Sequence, residues 1–353
     1  MQLCNKGINW GGGDIKGFLA GGSLCVHKYE DVISLENLLE AWGEFKVGKK
    51  TRLDVQEFEH NLMTNLIILH ESLVDGTYIH KSYNARAIND PKPRKIHIAS
   101  VRDRVLHRAI YRRLYPFFDR IFIADSFSCR DNKGTHRALQ RFEVMARQVS
   151  MNNTKTCWVL KCDVRQFFAS IDHRVLLELL SKKIADEKLL WLLANIIASF
   201  SSSKPGVGLP LGNLTSQLLS NVYLHEMDLF VEQGLRIKNY IRYADDFVLL
   251  SRDYDELKSQ LYVISDWLGV ELKLWLHPNK VSIETMASGV DFLGWVHFQK
   301  HRVLRGVTRK RMIRNVAKGA GKESLASYRG MLGWGNGYKI ASKLPKSGGE
   351  GLT

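Results

Sequence analysis

The chain has 353 residues, 45% of them apolar and 25% charged, with 51 Lys and Arg against 36 Asp and Glu for a net charge of +15. That length has room for two or three packed subdomains, and the composition is that of an ordinary globular protein, which excludes fibrous and disordered classes. Five cysteines (Cys4, Cys25, Cys129, Cys157, Cys162) with no C-x-x-C pair, and no run of 18 apolar residues, exclude a disulfide framework, a cysteine zinc site and a membrane span.

The basic charge is gathered rather than spread. Lys92 to Arg147 holds 14 Lys and Arg against 5 acids, and Gln299 to the end holds 13 against 2. Two basic segments flanking a balanced middle are the footprint of a polyphosphate partner. The N-terminus lacks a charged-then-apolar leader pattern, so a cytoplasmic protein is expected.

In chain order, residues 1–30 carry "GGG" and "GG" and read as a loose arm. Apolar residues then recur at helical spacing through "LENLLEAW" and "EFEHNLMTNLIILHESL". "NDPKPRKIHIAS" reads as a loop entering a strand, and "VRDRVLHRAIYRRLYPFF" as a helix that Pro116 ends. "CWVLKCDVRQFFASI" reads as a buried strand, followed by a helix from His173 that Asp172 caps. Two more helices follow, "KLLWLLANIIASF" and "LTSQLLSNVYLHEMDLFVEQG", the second stopped by Gly234. "YIRYADDFVLLS" reads as strand, turn and strand. A helix over "DELKSQLYVISDWL", two short strand pairs through Phe298, a small basic helical unit and a frayed tail from Ser347 complete the chain.

Three aspartates stand out. Asp245 and Asp246 interrupt one apolar strand pair, and Asp163 interrupts another strand 82 residues earlier. A carboxylate buried without a partner costs several kcal/mol, and two in contact also repel. An Asp-Asp dipeptide alone reads as a hairpin turn. With a third acid in a distant strand and clustered basic charge beside it, the trio reads as a cradle for two Mg²⁺ ions. Magnesium takes hard oxygen ligands, and paired metals stabilise the attacking and leaving oxygens of phosphoryl transfer.

"RYADDF" and "DVRQFF" resemble two catalytic motifs of reverse transcriptases. "PKPRKIHIASVRDRVLHRAI" and "DSFSCRDNKGTHRAL" resemble their fingers motifs. "GLPLGNLTSQLLSNVYLHEMD" resembles the template-and-nucleotide motif, "LHPNK" the next, and "GVDFLGW" the primer grip. The resemblance runs from about residue 31 to about residue 340. It implies an α+β right-hand polymerase: fingers over 31–155, a palm of antiparallel sheet packed on helices over 156–298, and a small helical thumb over 299–346, with 185–210 at the fingers–palm junction and 347–353 as tail.

The resemblance also assigns roles. Asp163, Asp245 and Asp246 match the catalytic triad, and the Val164 carbonyl joins them as a metal ligand. Two Mg²⁺ ions are implied, with Mn²⁺ as a substitute. Phe168 matches the aromatic gate that selects dNTPs against a ribose 2′-OH, and Arg94 the arginine on the incoming triphosphate. Leu211, Gly212 and Gln217 lie in the nucleotide-binding motif, and Lys280 sits near the phosphates.

The nucleotide motif departs from the common Q-G-x-x-x-S-P: Leu211 stands in the Gln slot and Gln217 in the Pro slot. That pattern resembles the enzymes of diversity-generating retroelements, which copy a template RNA with errors opposite adenine. Leucine lacks the amide's hydrogen bonds, and discrimination built on polar contacts weakens without them. The resemblance implies a template RNA, an RNA/DNA primer–template duplex, dNTPs and a basic, barrel-shaped accessory protein as partners. Two other readings stand beside it: a related enzyme of phage defence or intron mobility, and a non-catalytic RNA-binding scaffold.

Overall fold

The computed structural model describes residues 24–88 and 93–345. Residues 1–23 of the expected arm, residues 89–92 of "NDPKP" and the tail after 345 lie outside the described residues.

The N-terminal region is helical, with α1 (Tyr29–Ile33), α2 (Leu35–Phe45), α3 (Leu53–His60) and α4 (Leu62–Val74), then a hairpin of β1 (Asn84–Ile88) and β2 (Arg94–Ile98), then α5 (Val101–Ile121) and α6 (Thr135–Val149). Serine hydroxyls start two of these helices: Ser34 accepts from the Asn37 amide, and Ser100 from that of Asp103.

Two expectations need correction. The packed chain begins before residue 31: Tyr29 is buried and its hydroxyl donates to the Leu73 carbonyl at 2.7 Å, while Cys25 bridges to Ile184. Pro116 does not end its helix, because α5 runs five residues further. Proline removes the bond to the Arg112 carbonyl, but Pro116 faces solvent while Phe117 and Phe118 behind it are buried. Burying two phenyl rings outweighs one hydrogen bond that water can replace.

The middle of the chain supplies β3 (Trp158–Asp163), α7 (Phe167–Ser170), α8 (His173–Ser181), α9 (Glu187–Ala198) and α10 (Leu214–Leu229), which ends in a π-helical turn, Phe230–Gly234. Then come β4 (Tyr240–Tyr243), β5 (Asp246–Ser251), α11 (Tyr254–Glu271) and β6 (Ser282–Thr285). Asp172 caps α8 as expected, accepting from the amides of Arg174 and Val175. The strand carrying Asp163 is shorter than expected. It stops at that residue because Gln166, at φ +47°, turns the chain into α7.

These strands form one antiparallel sheet in the order β4-β5-β3-β6. Alternation along β3 sends Leu160 and Cys162 into the large core shared with α5, α8 and α10, and Val159 into a second core with Ala138 and Phe142 of α6. A separate sheet of β7 (Val290–Phe292), β8 (Trp295–His297) and β9 (Arg302–Leu304) leads to α12 (Gly306–Ala317), α13 (Lys322–Leu332) and α14 (Tyr338–Ala341). Trp295, Leu304, Met312 and Leu332 join them in a third core. The class is α+β, and no helix among the described residues is long and apolar enough to cross a membrane.

Burial leaves an acid-sensitive group in the largest core. His225 of α10 is buried, its Nδ1 has no hydrogen-bond partner among the described residues, and its pKa is lowered to about 4, chiefly by desolvation. A depressed histidine stabilises the fold above its unfolded value of about 6.5. That contribution is lost as pH falls towards 4, because the unfolded chain then binds a proton the folded chain refuses. Urea unfolding of the protein is therefore expected to show falling stability between pH 6.5 and 4.5. His225→Leu should remove about 2 kcal/mol of that slope; an unchanged pH profile would acquit His225.

Candidate active site

The three aspartates meet at one edge of the sheet. Antiparallel pairing of β3 with β5 sets Asp163 directly opposite Asp246, and the two-residue loop between β4 and β5 puts Asp245 beside them. Opposed residues in such a pair have Cβ atoms about 5 Å apart, so register alone brings two carboxylates together. The backbone around them is cross-linked: the Val164 amide donates to the Asp245 carbonyl at 3.1 Å, and the His277 amide to the Asp163 carbonyl at 2.7 Å.

The loop holding Asp245 is strained and braced. Its first residue, Ala244, sits at φ +54°, a region that costs a non-glycine residue about 1 kcal/mol. Arg242, fully buried, donates through Nη1 to the Ala244 carbonyl at 3.2 Å and to Asn221 Oδ1 at 3.1 Å. Its Nε and Nη2 form a fork on Asp228, also fully buried, at 2.7 and 2.6 Å. Tyr240 donates its hydroxyl to the same carboxylate, and Asn221 donates to the Ser128 carbonyl. Sequence reading missed this set, although Arg242 breaks an apolar strand as plainly as the aspartates do.

Electrostatics at the trio are unfavourable to charge. Asp245 is raised from its ordinary value, first by burial and then by Asp163, against the pull of Lys280 and Arg94. Asp246 is raised to about 7 by burial, by Asp245 and Asp163, and by a hydrogen bond with Asp163 that favours the protonated form. Lys280, expected near the phosphates, is instead placed on Asp163, with Nζ 2.7 Å from both carboxylate oxygens. Accordingly, among the described residues no three carboxylate, imidazole or thiolate groups already converge on one ion position.

The donor set nevertheless suits a divalent cation. Three hard carboxylates gathered at one point, with Asp245 and Asp246 raised by burial and by their neighbours, are what such a cation relieves, and the Lys280 side chain on Asp163 is 42% exposed.

The nucleotide-motif residues also come together. Phe168, Leu211, Gly212, Gln217, Asn221 and Ala244 line one cavity of about 140 Å³. The loop that delivers Leu211 is tied on both sides. Gly208 and Leu209 amides donate to the Ile171 and Phe168 carbonyls, and the Leu211 carbonyl accepts from the His97 amide of β2. Gly208, at φ +107°, leaves no room for a Cβ, which would lie 2.8 Å from that of Ser202. Arg94 opens the same β2 and acts on Asp245 by charge.

Breaking a buried ion pair strands a desolvated charge, at a cost of about 3–5 kcal/mol. Asp228→Ala should therefore lose that much stability in urea unfolding. Pairing it with Arg242→Met should recover most of the loss, while activity stays low because the Ala244 turn has lost its brace. A single variant within 1 kcal/mol of the parent would show that the pair does not hold the turn.

Residues 81–297 match the family model described as reverse transcriptase (RNA-dependent DNA polymerase). YkfC of Escherichia coli is 28% identical over 290 residues, covering 69% of this chain and 72% of that protein. The group II intron-encoded protein LtrA of Lactococcus lactis is 29% identical over 204 residues, covering 55% of this chain; the match spans only 32% of LtrA. A solved apo telomerase from Candida tropicalis aligns with a TM-score of 0.49 and 12% identity, over 63% of this chain and 55% of that one. With more than half its length matched by the family model, the chain belongs to the reverse transcriptases, the RNA-dependent DNA polymerases.

Proposed function

We propose that this reverse transcriptase copies a retroelement template RNA into cDNA, with elevated error opposite adenine, and that Asp163, Asp245, Asp246 and the Val164 carbonyl hold two Mg²⁺ ions, with Mn²⁺ as a substitute. One observation carries the catalytic assignment: Asp163 and Asp246 are register partners beside Asp245, next to a cavity lined by the nucleotide-motif residues. When bound, the ions supply charge stabilisation for the displacement at the α-phosphate of a dNTP.

The chain's own residues orient the reactants. Arg94 offers a guanidinium fork to the triphosphate. Phe168, on the cavity wall beside Leu211, is the residue that would exclude a ribose 2′-hydroxyl. Lys280 exchanges Asp163 for a phosphate oxygen as substrate enters, so its pairing with Asp163 is the resting arrangement. Gly212 keeps the backbone low at φ +99°, and Gln217 follows on α10. The template–primer duplex lies between the fingers (31–155) and the thumb (299–346), along the palm (156–298), with phosphates met by the two basic segments. A basic, barrel-shaped accessory protein would complete the retroelement complex.

Leu211 supports the error-prone reading. Its backbone is fixed to His97 while its side chain brings only apolar surface to the cavity. Group II intron relatives keep the intron-mobility reading in view, and error spectra separate the two.

Primer extension on an RNA template is expected to drop at least about 1,000-fold in Asp245→Ala with RNA binding retained; equal extension by variant and parent would refute the assignment. Leu211→Gln is expected to lower misincorporation opposite template adenine several-fold relative to the other template bases, read by sequencing the cDNA. An unchanged spectrum would remove Leu211 from the account.

A further inference from the structure

The outer face of α11 combines two properties unlike the rest of the surface. Leu257, Ile264 and Leu268 bury the inner face against the sheet. On the opposite side, Tyr262, Asp266 and Val270 follow one another at i, i+4 spacing and so form one stripe. Tyr262 is 66% exposed, Val270 56% and the adjoining Trp275 61%. With Ser265, Asp266 and Gly269 they line an open groove of about 580 Å³.

This helix is also acidic in a basic protein. It carries Asp255, Glu256, Asp266 and Glu271 against Lys258 alone, a local charge of −3 in a chain of +15. On the fingers helices some acids are paired instead: Glu40 and Glu44 of α2 with Arg112, and Asp54 of α3 with Arg104. Among the described residues, none of the four acids of α11 lies in an ion pair. Uncompensated carboxylates repel a phosphate backbone, so this face is unsuited to the nucleic acid that the remaining surface attracts.

We propose that the outer face of α11, with Trp275, docks a protein partner through an Arg- and Lys-bearing amphipathic segment. The apolar side of such a segment would cover Val270 and the two aromatic rings. Its guanidinium groups would stack on Tyr262 and Trp275 and meet Asp266 and Glu271. Aromatic anchors ringed by complementary charge are what concentrates binding energy at protein interfaces. Charge and exposure alone point to this contact, so it holds for a reverse transcriptase of any subtype and belongs to a face rather than to a named protein.

The test uses the full chain and two synthetic 18-residue amphipathic helices sharing one leucine stripe, flanked by arginines in one and glutamates in the other. Fluorescence anisotropy at about 0.15 M salt should show micromolar binding of the arginine peptide only. The double variant Asp266→Lys, Glu271→Lys should weaken it at least tenfold, and Tyr262→Ala about fivefold, with primer extension unchanged in both. Primer extension tests the polymerase assignment separately, so the two can fail independently. Equal affinity of parent and variants, or equal binding of both peptides, would overturn the proposal. So would loss of self-association in Tyr262→Ala by sedimentation, which would make a second copy the occupant. Peptide binding that appears only after residues 1–23 are removed would make the chain's own N-terminal segment the occupant, and would overturn it too.

Discussion

The site depends on one interaction more than any other, the buried ion pair between Arg242 and Asp228. Both groups have no exposed surface, and together they make two forked bonds to each other and reach Tyr240, Asn221 and Ala244. Through Asn221 the network continues to Ser128, and the backbone of Arg242 exchanges bonds with Asp125 and Phe127. Two segments far apart in sequence, 125–128 and α10, are thereby fixed to the turn that presents Asp245. A buried pair is weak evidence for net stability but a strong device for specifying one arrangement, and a strained turn needs that specification.

The three aspartates follow the opposite logic. They are crowded where charge is disfavoured, and among the described residues only Asp163 is in an ion pair, with Lys280. Asp245 and Asp246 are left with raised pKa values. Rigidity around the trio comes from the backbone, through Val164, Asp245 and His277, so the carboxylates are held in place despite mutual repulsion. That is the arrangement expected of a right-hand polymerase palm, in which family members bind divalent metal ions. The tension is an ordinary feature of functional sites, where local preference yields to chemistry.

Much of this was legible in the sequence, and the failures have physical causes. The Asp172 cap and the β4–β5 hairpin follow from local chemistry, so they were readable. β1 was missed because the alternation in "NARAI" rests on two alanines, which are poor strand formers, and its strand is exposed along its whole length. Pro116 misled because its cost was weighed without the two phenylalanines behind it. The motif suggested that Asp163 meets Asp246, but local pattern could not establish it, since register is a long-range property. The pairing of Lys280 with Asp163 was not readable either, because a lysine's reach permits several partners.

The way Leu211 is held bears on what its identity can change. Its carbonyl accepts from the His97 amide, the Asn213 side chain donates to the His97 carbonyl, and a Cβ at Gly212 beside it would lie 3.6 Å from that of Ile96. The loop is thus positioned by main chain and by its neighbours, with no contribution required from the Leu211 side chain. A position fixed in this way separates placement from chemistry: the residue can vary between an amide and an isobutyl group without moving the loop. If the cavity takes the nucleotide as proposed, discrimination can be altered there while folding is kept. On the proposed reading, the departure at residue 211 alters the chemistry of the pocket and leaves its placement alone.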